Sequence, residues 1–386
     1  MAEKAKSRTL KNPHGEIKKS GGIDYTFLFL IMLILSLGLV MLLSASAPAG
    51  ASKFGDSYHF FIRQMLFVIP GLIGMVIVSK IDYTVYKKHS RLFFLACIGL
   101  LILVAIPGIG QEHNGSRRWI QLPGFQFQPS ELMKLAISIT FAKMISSGNY
   151  NLSKLKGCAP FGIILAMIII LMWLEPHVSG LLIMCGIGVW IMVSAGTPLW
   201  PFVASGAVLG FFGTLYIMFF DANRWSRVMA FLNPFSDTRH SGYQIVQALY
   251  AMGSGGIFGR GIGQSVQKYS YLPEPYNDFI FSIVCEELGL FGAAIIIILF
   301  ALLILRGFRI ALNAPDMFGT LLATGIMAQI AIQTTLNIAV TTATVPNTGV
   351  SLPFFSYGGT AILILLIEMG ILLNISRHSV NGETAP

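Results

Sequence analysis

The stretch from Asp278 to Leu305 reads DFIFSIVCEELGLFGAAIIIILFALLIL. After Glu287 no charged residue interrupts it before Arg306. A helix needs about 20 predominantly apolar residues to cross a bilayer, so this run predicts a membrane span over 278–305. Yet its first ten residues hold three carboxylates, Asp278, Glu286 and Glu287. An acid at the centre of a membrane helix is unfavourable by roughly 2.5–3.5 kcal/mol on insertion scales, so an acid at membrane depth or at its rim is a functional candidate by default. Asp278, which opens the run, is the residue to explain.

The rest of the chain has the same character. Hydrophobic residues make up 54% of 386, charged residues 11%, and the mean hydropathy is +0.72. A soluble fold could not carry that composition without exposing large apolar patches. The expectation is an all-α integral membrane protein of about ten helices, at 23–44, 61–79, 92–107, 130–147, 158–174, 178–194, 198–220, 278–305, 316–344 and 357–376. A basic tail, 1–22, precedes a single membrane domain over 23–376, and a short tail, 377–386, follows. The first tail carries six Lys or Arg residues and lacks the small-residue cleavage site of a signal peptide, so it is expected to stay in the cytoplasm.

The formal charge of +9 raises the question of a nucleic-acid partner. The basic residues cluster at the ends of apolar runs and form no stripe with interleaved aromatics, which excludes that class. They read as topology instead. With both termini inside, sixteen of the 26 Lys and Arg residues fall on inner segments, as the positive-inside rule requires. The longest connection, 221–277, between the seventh and eighth spans, then lies outside. It is far longer than an ordinary loop and is expected to hold two short interfacial helices, 222–232 and 243–252. The four cysteines sit in or at apolar runs with no ligand-like spacing, which indicates packing residues and neither a disulfide framework nor a zinc site.

Several residues could carry chemistry. With seven crossings before it, Asp278 lies at the outer face, and it is either a helix N-cap or a reactive acid. On an ideal helix Ser282 and Cys285 would share its face and Glu287 would point away, so Glu287 reads as structural. In Gln128-Pro129-Ser130-Glu131-Leu132-Met133-Lys134 the proline suits a first helical turn, and Glu131 and Lys134 pair at i,i+3. That pair either satisfies itself or orients a substrate group. Arg117 and Arg118 run against the topological bias and could grip a phosphate or anchor to lipid head groups beside Trp119. The glycine-rich segment 253–263 lacks the strand that a phosphate-binding loop requires, and close packing or a bend is the better reading. Glu175-Pro176-His177, with His240, could be called a metal constellation, but the spacing is not diagnostic. In Leu352-Pro353-Phe354-Phe355-Ser356-Tyr357-Gly358-Gly359 the hydroxyls of Ser356 and Tyr357 could face the same cavity as Asp278.

Taken in order, these motifs resemble the SEDS family of bacterial cell-envelope proteins, which comprises FtsW, RodA and SpoVE. The likeness runs from Asp24 to about Asn374. It is carried by Ser44-Ala45-Ser46, Gly115-Ser116-Arg117-Arg118-Trp119-Ile120, Gln128-Pro129-Ser130-Glu131, Gly253-Ser254-Gly255-Gly256, Leu272-Pro273-Glu274 with Asp278-Phe279-Ile280-Phe281, Glu286-Glu287-Leu288-Gly289, and Ser356-Tyr357-Gly358-Gly359. Gln267-Lys268 looks more like the division branch than the elongation branch. Two departures stand out. The family often has Pro-Asp where this chain has Pro176-His177, and His-Thr where it has Tyr276-Asn277 before Asp278.

The resemblance implies a peptidoglycan glycosyltransferase that polymerises lipid II at the outer face of the bacterial cytoplasmic membrane. Asp278 would be the catalytic base, with Arg117, Arg118, Glu131, Lys134, Ser356 and Tyr357 binding substrate. It names no organic cofactor and leaves room for a divalent cation, Mg2+ or Mn2+. The implied partners are a class B penicillin-binding protein, other divisome proteins and membrane lipids. Two rival classes stay open, a lipid II flippase and a non-catalytic scaffold for the transpeptidase.

Overall fold

The computed structural model describes residues 22–113, 116–175, 177–236 and 242–379. The two tails and His240 therefore lie largely or wholly outside the described residues. The chain is a helical membrane protein. Twelve α-helices appear among the described residues: α1 (Tyr25–Phe54), α2 (His59–Val78), α3 (Thr84–Ala105), α4 (Pro129–Ser146), α5 (Leu155–Leu174), α6 (Val178–Ser194), α7 (Trp200–Phe220), α8 (Ala222–Leu232), α9 (Tyr243–Gly255), α10 (Ile280–Leu312), α11 (Met317–Thr341) and α12 (Gly359–Arg377). Each of the ten expected spans has its helix, and α8 and α9 fall where the two short ones were expected. Eight are long and apolar enough to cross a membrane by themselves. The other two expected spans, α4 and α6, differ for visible reasons: α4 carries Glu131, Lys134 and Lys143, and α6 has 17 residues.

Local chemistry fixes the starts of α1 and α11. Asp24 caps α1 by accepting from Phe27 N–H at 2.9 Å, and its other oxygen takes Arg306 Nε of α10 at 2.7 Å. Asp316 caps α11 through Gly319 N–H and accepts from the Tyr83 hydroxyl, each at 2.9 Å. Small residues then let helices close on one another, as membrane packing demands. A Cβ on Gly370 of α12 would stand 2.6 Å from the Met75 carbonyl oxygen of α2. Helices α11 and α12 form the buried centre, whereas α7 buries none of its residues.

Three expectations need correction. The first span is not confined to 23–44: α1 continues ten residues past Ser44 and ends on Gly55, whose left-handed φ of 72° suits a C-cap. The run at 278–305 is not one helix. It begins at Ile280 and breaks at Gly289, where φ is 69° and ψ −172°, a backbone state open to glycine and few others. Finally, α9 does not lie free on the membrane surface, because Ile245, Val246, Ala248 and Ala251 are buried and the helix packs along α10.

The break in α10 is repaired by the glycine-rich segment. Arg260 N–H and Gly261 N–H donate to the Glu286 and Glu287 carbonyls at 3.0 and 2.9 Å. In return, Leu290 N–H and Phe291 N–H donate to Gly256 and Ile257 at 2.9 and 3.0 Å. No side chain fits between these backbones, since a Cβ on Gly259 would clash with the Glu287 carbonyl oxygen. Segment 253–263 is thus a packing device, as its composition suggested.

One element escaped the sequence reading. The connection after α3 folds into a three-stranded antiparallel sheet in the order β1 (Gly110–His113), β2 (Ser116–Leu122), β3 (Phe125–Phe127). The legible signal was Pro123-Gly124 between β2 and β3: proline at the second turn position and a glycine with φ of 89° at the third make a type II turn.

Candidate active site

Asp278 sits just before the start of α10, and its position comes from three segments. Asn337 of α11, wholly buried, donates from one amide to the Asp278 carbonyl at 2.8 Å and the Val350 carbonyl at 2.7 Å. That double bond pins the acid to the loop after α11. Gly349 approaches from the same loop with φ of 70°, and a Cβ there would lie 3.1 Å from Asp278 Oδ2. Ser356 then donates to the Asn277 carbonyl at 2.7 Å and accepts from Leu352 N–H at 2.8 Å. Two non-glycine residues in the flanking motifs, Glu274 and Phe354, hold positive φ values of 50° and 65°, a strained state that persists where surrounding contacts enforce it.

The cap reading of Asp278 fails. The N-cap of α10 is Phe279, and no side chain caps the helix. The carboxyl is therefore not consumed by the helix, and the face-sharing expected for Ser282 and Cys285 does not apply to a residue that precedes it. Burial pushes the Asp278 carboxyl up to about 6, Glu274 adds to the rise, and Arg118 and Arg227 oppose it. Arg227 comes from α8 and was not singled out from the sequence. Nothing in its local spacing could have shown that α8 folds back toward Asp278.

The two arginines of β2 are not equivalent. Across the register shift between Gln111 and Glu112, Trp119 faces Gln111 and Arg117 faces Glu112, so Arg118 stands unopposed in a bulge. Bulges re-aim side chains. The charge of Arg118 acts on Asp278, Glu175 and His177 together. The structure joins these groups through β2, the α5–α6 connection and the start of α10, which are distant in sequence.

Glu131 and Lys134 pair as expected, at 2.7 Å, with the lysine 2% exposed. Below them lies a carboxylate the sequence reading passed over, Glu368 of α12, fully buried, which accepts from Gln329 Nε2 at 3.0 Å. An acid in the middle of the last apolar run was a legible signal. Glu131, Gln329, Gln333, Ser356 and Tyr357 line one cavity of about 30 Å³. Asp278 does not line it; the link runs through Ser356 to Asn277. Tyr357 directs its hydroxyl to Arg63.

Glu287 is taken up structurally. It pairs with Lys268 at 2.8 Å and accepts from Ser44 Oγ at 2.7 Å, so that α1, α10 and the loop just after the glycine-rich segment are joined there. Glu286 accepts from Ser265 Oγ and from Val266 N–H. Among the described residues no three His, Cys, Asp or Glu side chains gather to hold a metal ion. The constellation of Glu175 and His177 with His240 includes a residue outside the described ones.

A sequence profile of the family described as "Cell cycle protein", FtsW/RodA/SpoVE, matches residues 25–381. Stage V sporulation protein E of Bacillus subtilis (strain 168) is 44% identical over 329 residues, 85% of this chain and 89% of that one. A probable peptidoglycan glycosyltransferase FtsW of Geobacter sp. (strain M18) is 39% identical, with 85% and 89% covered. Among solved structures, a chain of a peptidoglycan synthase complex that coordinates polymerization and crosslinking superposes with a TM-score of 0.78 at 25% identity, covering 93% of this chain and 98% of its own. The rod shape determining protein RodA of Thermus thermophilus gives 0.69 at 25% identity, with 93% and 98% covered. Matched over nearly its whole membrane domain in sequence and in fold, the chain belongs to the FtsW/RodA/SpoVE family.

Proposed function

We propose that the protein is a peptidoglycan glycosyltransferase that polymerises lipid II at the outer face of the cytoplasmic membrane. The observation that carries this reading is Asp278 itself: a carboxyl that does not cap its helix, on a backbone fixed by Asn337 and under the charge of Arg118, at the start of a membrane helix. The relatives named as peptidoglycan glycosyltransferases support the reaction class.

In this reaction the acceptor sugar's 4-hydroxyl attacks the anomeric carbon of the lipid-linked donor. As the new C–O bond forms, the Asp278 carboxylate takes the hydroxyl proton. The bond from the anomeric carbon to the diphosphate oxygen breaks, its electron pair leaves on the diphosphate, and the anomeric centre inverts. Arg118, with Arg117 beside it on β2, balances the negative charge that develops on the leaving group. Glu131, paired with Lys134, lines the adjoining polar cavity with Ser356 and Tyr357, and Ser356 and the Tyr357 N–H hold the loop that carries Asn277 and Asp278.

Purified Asp278→Asn and Asp278→Ala proteins should insert and fold yet form no glycan polymer from purified lipid II, scored on a gel. Normal polymer from either variant sinks the assignment. Lipid II translocation in liposomes without any polymer would favour a flippase. Growth support that survives loss of Asp278 would favour a scaffold.

A class B penicillin-binding protein is the proposed partner, supported by the likeness to a chain of a synthase complex that also crosslinks. The narrower role is septal synthesis in division, together with other divisome proteins. A relative named for sporulation, at 44% identity, favours a second setting. Rescue of a division-blocked strain, against rescue of a sporulation-blocked strain, separates the two.

A further inference from the structure

The connection between α5 and α6 holds polar groups that the proposed reaction has not yet used. Glu175 is 1% exposed, and neither carboxyl oxygen meets a hydrogen-bond partner among the described residues. His177 is 8% exposed, and its Nδ1 is likewise without a partner there. The imidazole roofs the first turn of α6: a Cβ on Gly180 would lie 2.7 Å from its Nδ1. Helix α6 itself starts without a side-chain cap. The N–H groups of Val178, Ser179 and Gly180 therefore have no acceptor within the helix, and the helix dipole adds positive potential at that end.

Buried polar groups left unmade are unfavourable, and each asks for an explanation. Here they converge on one spot. Arg118 acts on both Glu175 and His177, and Lys134 acts on His177. A cation is the wrong occupant beside a guanidinium and a helix N-terminus. An anion with several acceptor oxygens suits every group. Burial pushes the Glu175 carboxyl up to about 8, which keeps it an O–H donor near neutral pH, and burial with the two nearby cations lowers His177 to about 3, which keeps the imidazole neutral with one N–H to give. Helix N-termini are ready anion sites when other donors join them.

We propose that the first turn of α6 seats one phosphate of a polyprenyl diphosphate, held by the N–H groups of that turn, the Glu175 carboxyl, the His177 ring and Arg118. The proposal rests on the glycosyltransferase reading and deepens it. Arg118 becomes the bridge between the seat of the leaving group and the base at Asp278. In this chain position 177 is a histidine, so the seat described is this chain's own.

Farnesyl diphosphate and inorganic diphosphate serve as probes, titrated against the full-length protein in nanodiscs. Wild type should bind farnesyl diphosphate, and inorganic diphosphate should compete for the same site. Glu175→Ala and His177→Ala should each weaken both probes about tenfold or more, whereas Glu175→Gln, which keeps an N–H donor, should stay within about threefold of wild type. With lipid II as substrate, the two alanine variants should raise KM far more than they lower kcat. Should Glu175→Ala fail to fold, His177→Ala, which removes no acid, carries the same comparison. Wild-type affinity in both His177→Ala and Glu175→Ala overturns the seat, as does failure of the wild type to bind either probe. If the wild type forms no polymer from lipid II while the alanine variants lose the probe, the glycosyltransferase reading falls and the seat stands. If wild type polymerises and the alanine variants bind as it does, the seat alone falls.

Discussion

An aspartate at the start of a helix is ordinarily consumed by that helix's own first N–H groups. Asp278 escapes because α10 begins two residues later, at Ile280, with Phe279 in the cap position. What holds it instead is a backbone bond from Asn337, which leaves the carboxyl available. As a general base Asp278 must be ionised, so with its carboxyl pushed up to about 6, kcat/KM should climb about tenfold per pH unit below that value and level off above it. Glu274 contributes to the upward push. Glu274→Gln removes a negative charge and should move the acidic limb to lower pH; a limb that stays in place, measured from initial rates between pH 4.5 and 8, argues that another group sets it.

At the scale of elements, α10 is two pieces joined through Gly289, with segment 256–261 supplying the hydrogen bonds that the break removes. The helix can deviate from regular geometry at the rim because the backbone groups it frees are paired again, as the membrane environment requires. Gly259→Ala would drive a methyl group into the Glu287 carbonyl and place alanine at a φ of 78°. It should lower stability by more than about 1 kcal/mol, read as a fall in melting temperature. The Lys268–Glu287 pair beside it is nearly solvent-free. Glu287→Gln leaves a buried ammonium without its counter-charge and should be worse, by about 3–5 kcal/mol. A melting temperature unchanged by Glu287→Gln would show that this junction is not what holds α1, α10 and the loop together.

At the scale of the molecule, buried α11 and α12 stand at the centre and α7 at the margin with no buried residue. The distribution of Lys and Arg is the ground for expecting the termini inside, which would put Asp278 outside. The four native cysteines are buried or half-buried, so labelling with an impermeant maleimide has a low background. On intact cells Asp56→Cys, in the exposed turn between α1 and α2, should label, and Asn149→Cys, in the exposed connection before α5, should label only after the membrane is opened. The reverse pattern would place Asp278 inside and remove the proposed substrate from its reach.

The amino-acid sequence by itself determined the class and the helices and singled out Asp278 as a candidate, because hydrophobic runs and the expense of burying a carboxylate are local properties of a chain in lipid. It foresaw the Glu131–Lys134 pair for the same reason, since i,i+3 spacing on one helix is local. The sheet was half legible, in Pro123-Gly124. The bulge at Arg118, the return of α8 toward Asp278, the break at Gly289 and the convergence of Glu175 and His177 on the start of α6 were decided only by the tertiary structure. Each depends on which distant backbones approach within a few ångströms, and that is set by packing across the whole bundle, which no single stretch of sequence encodes.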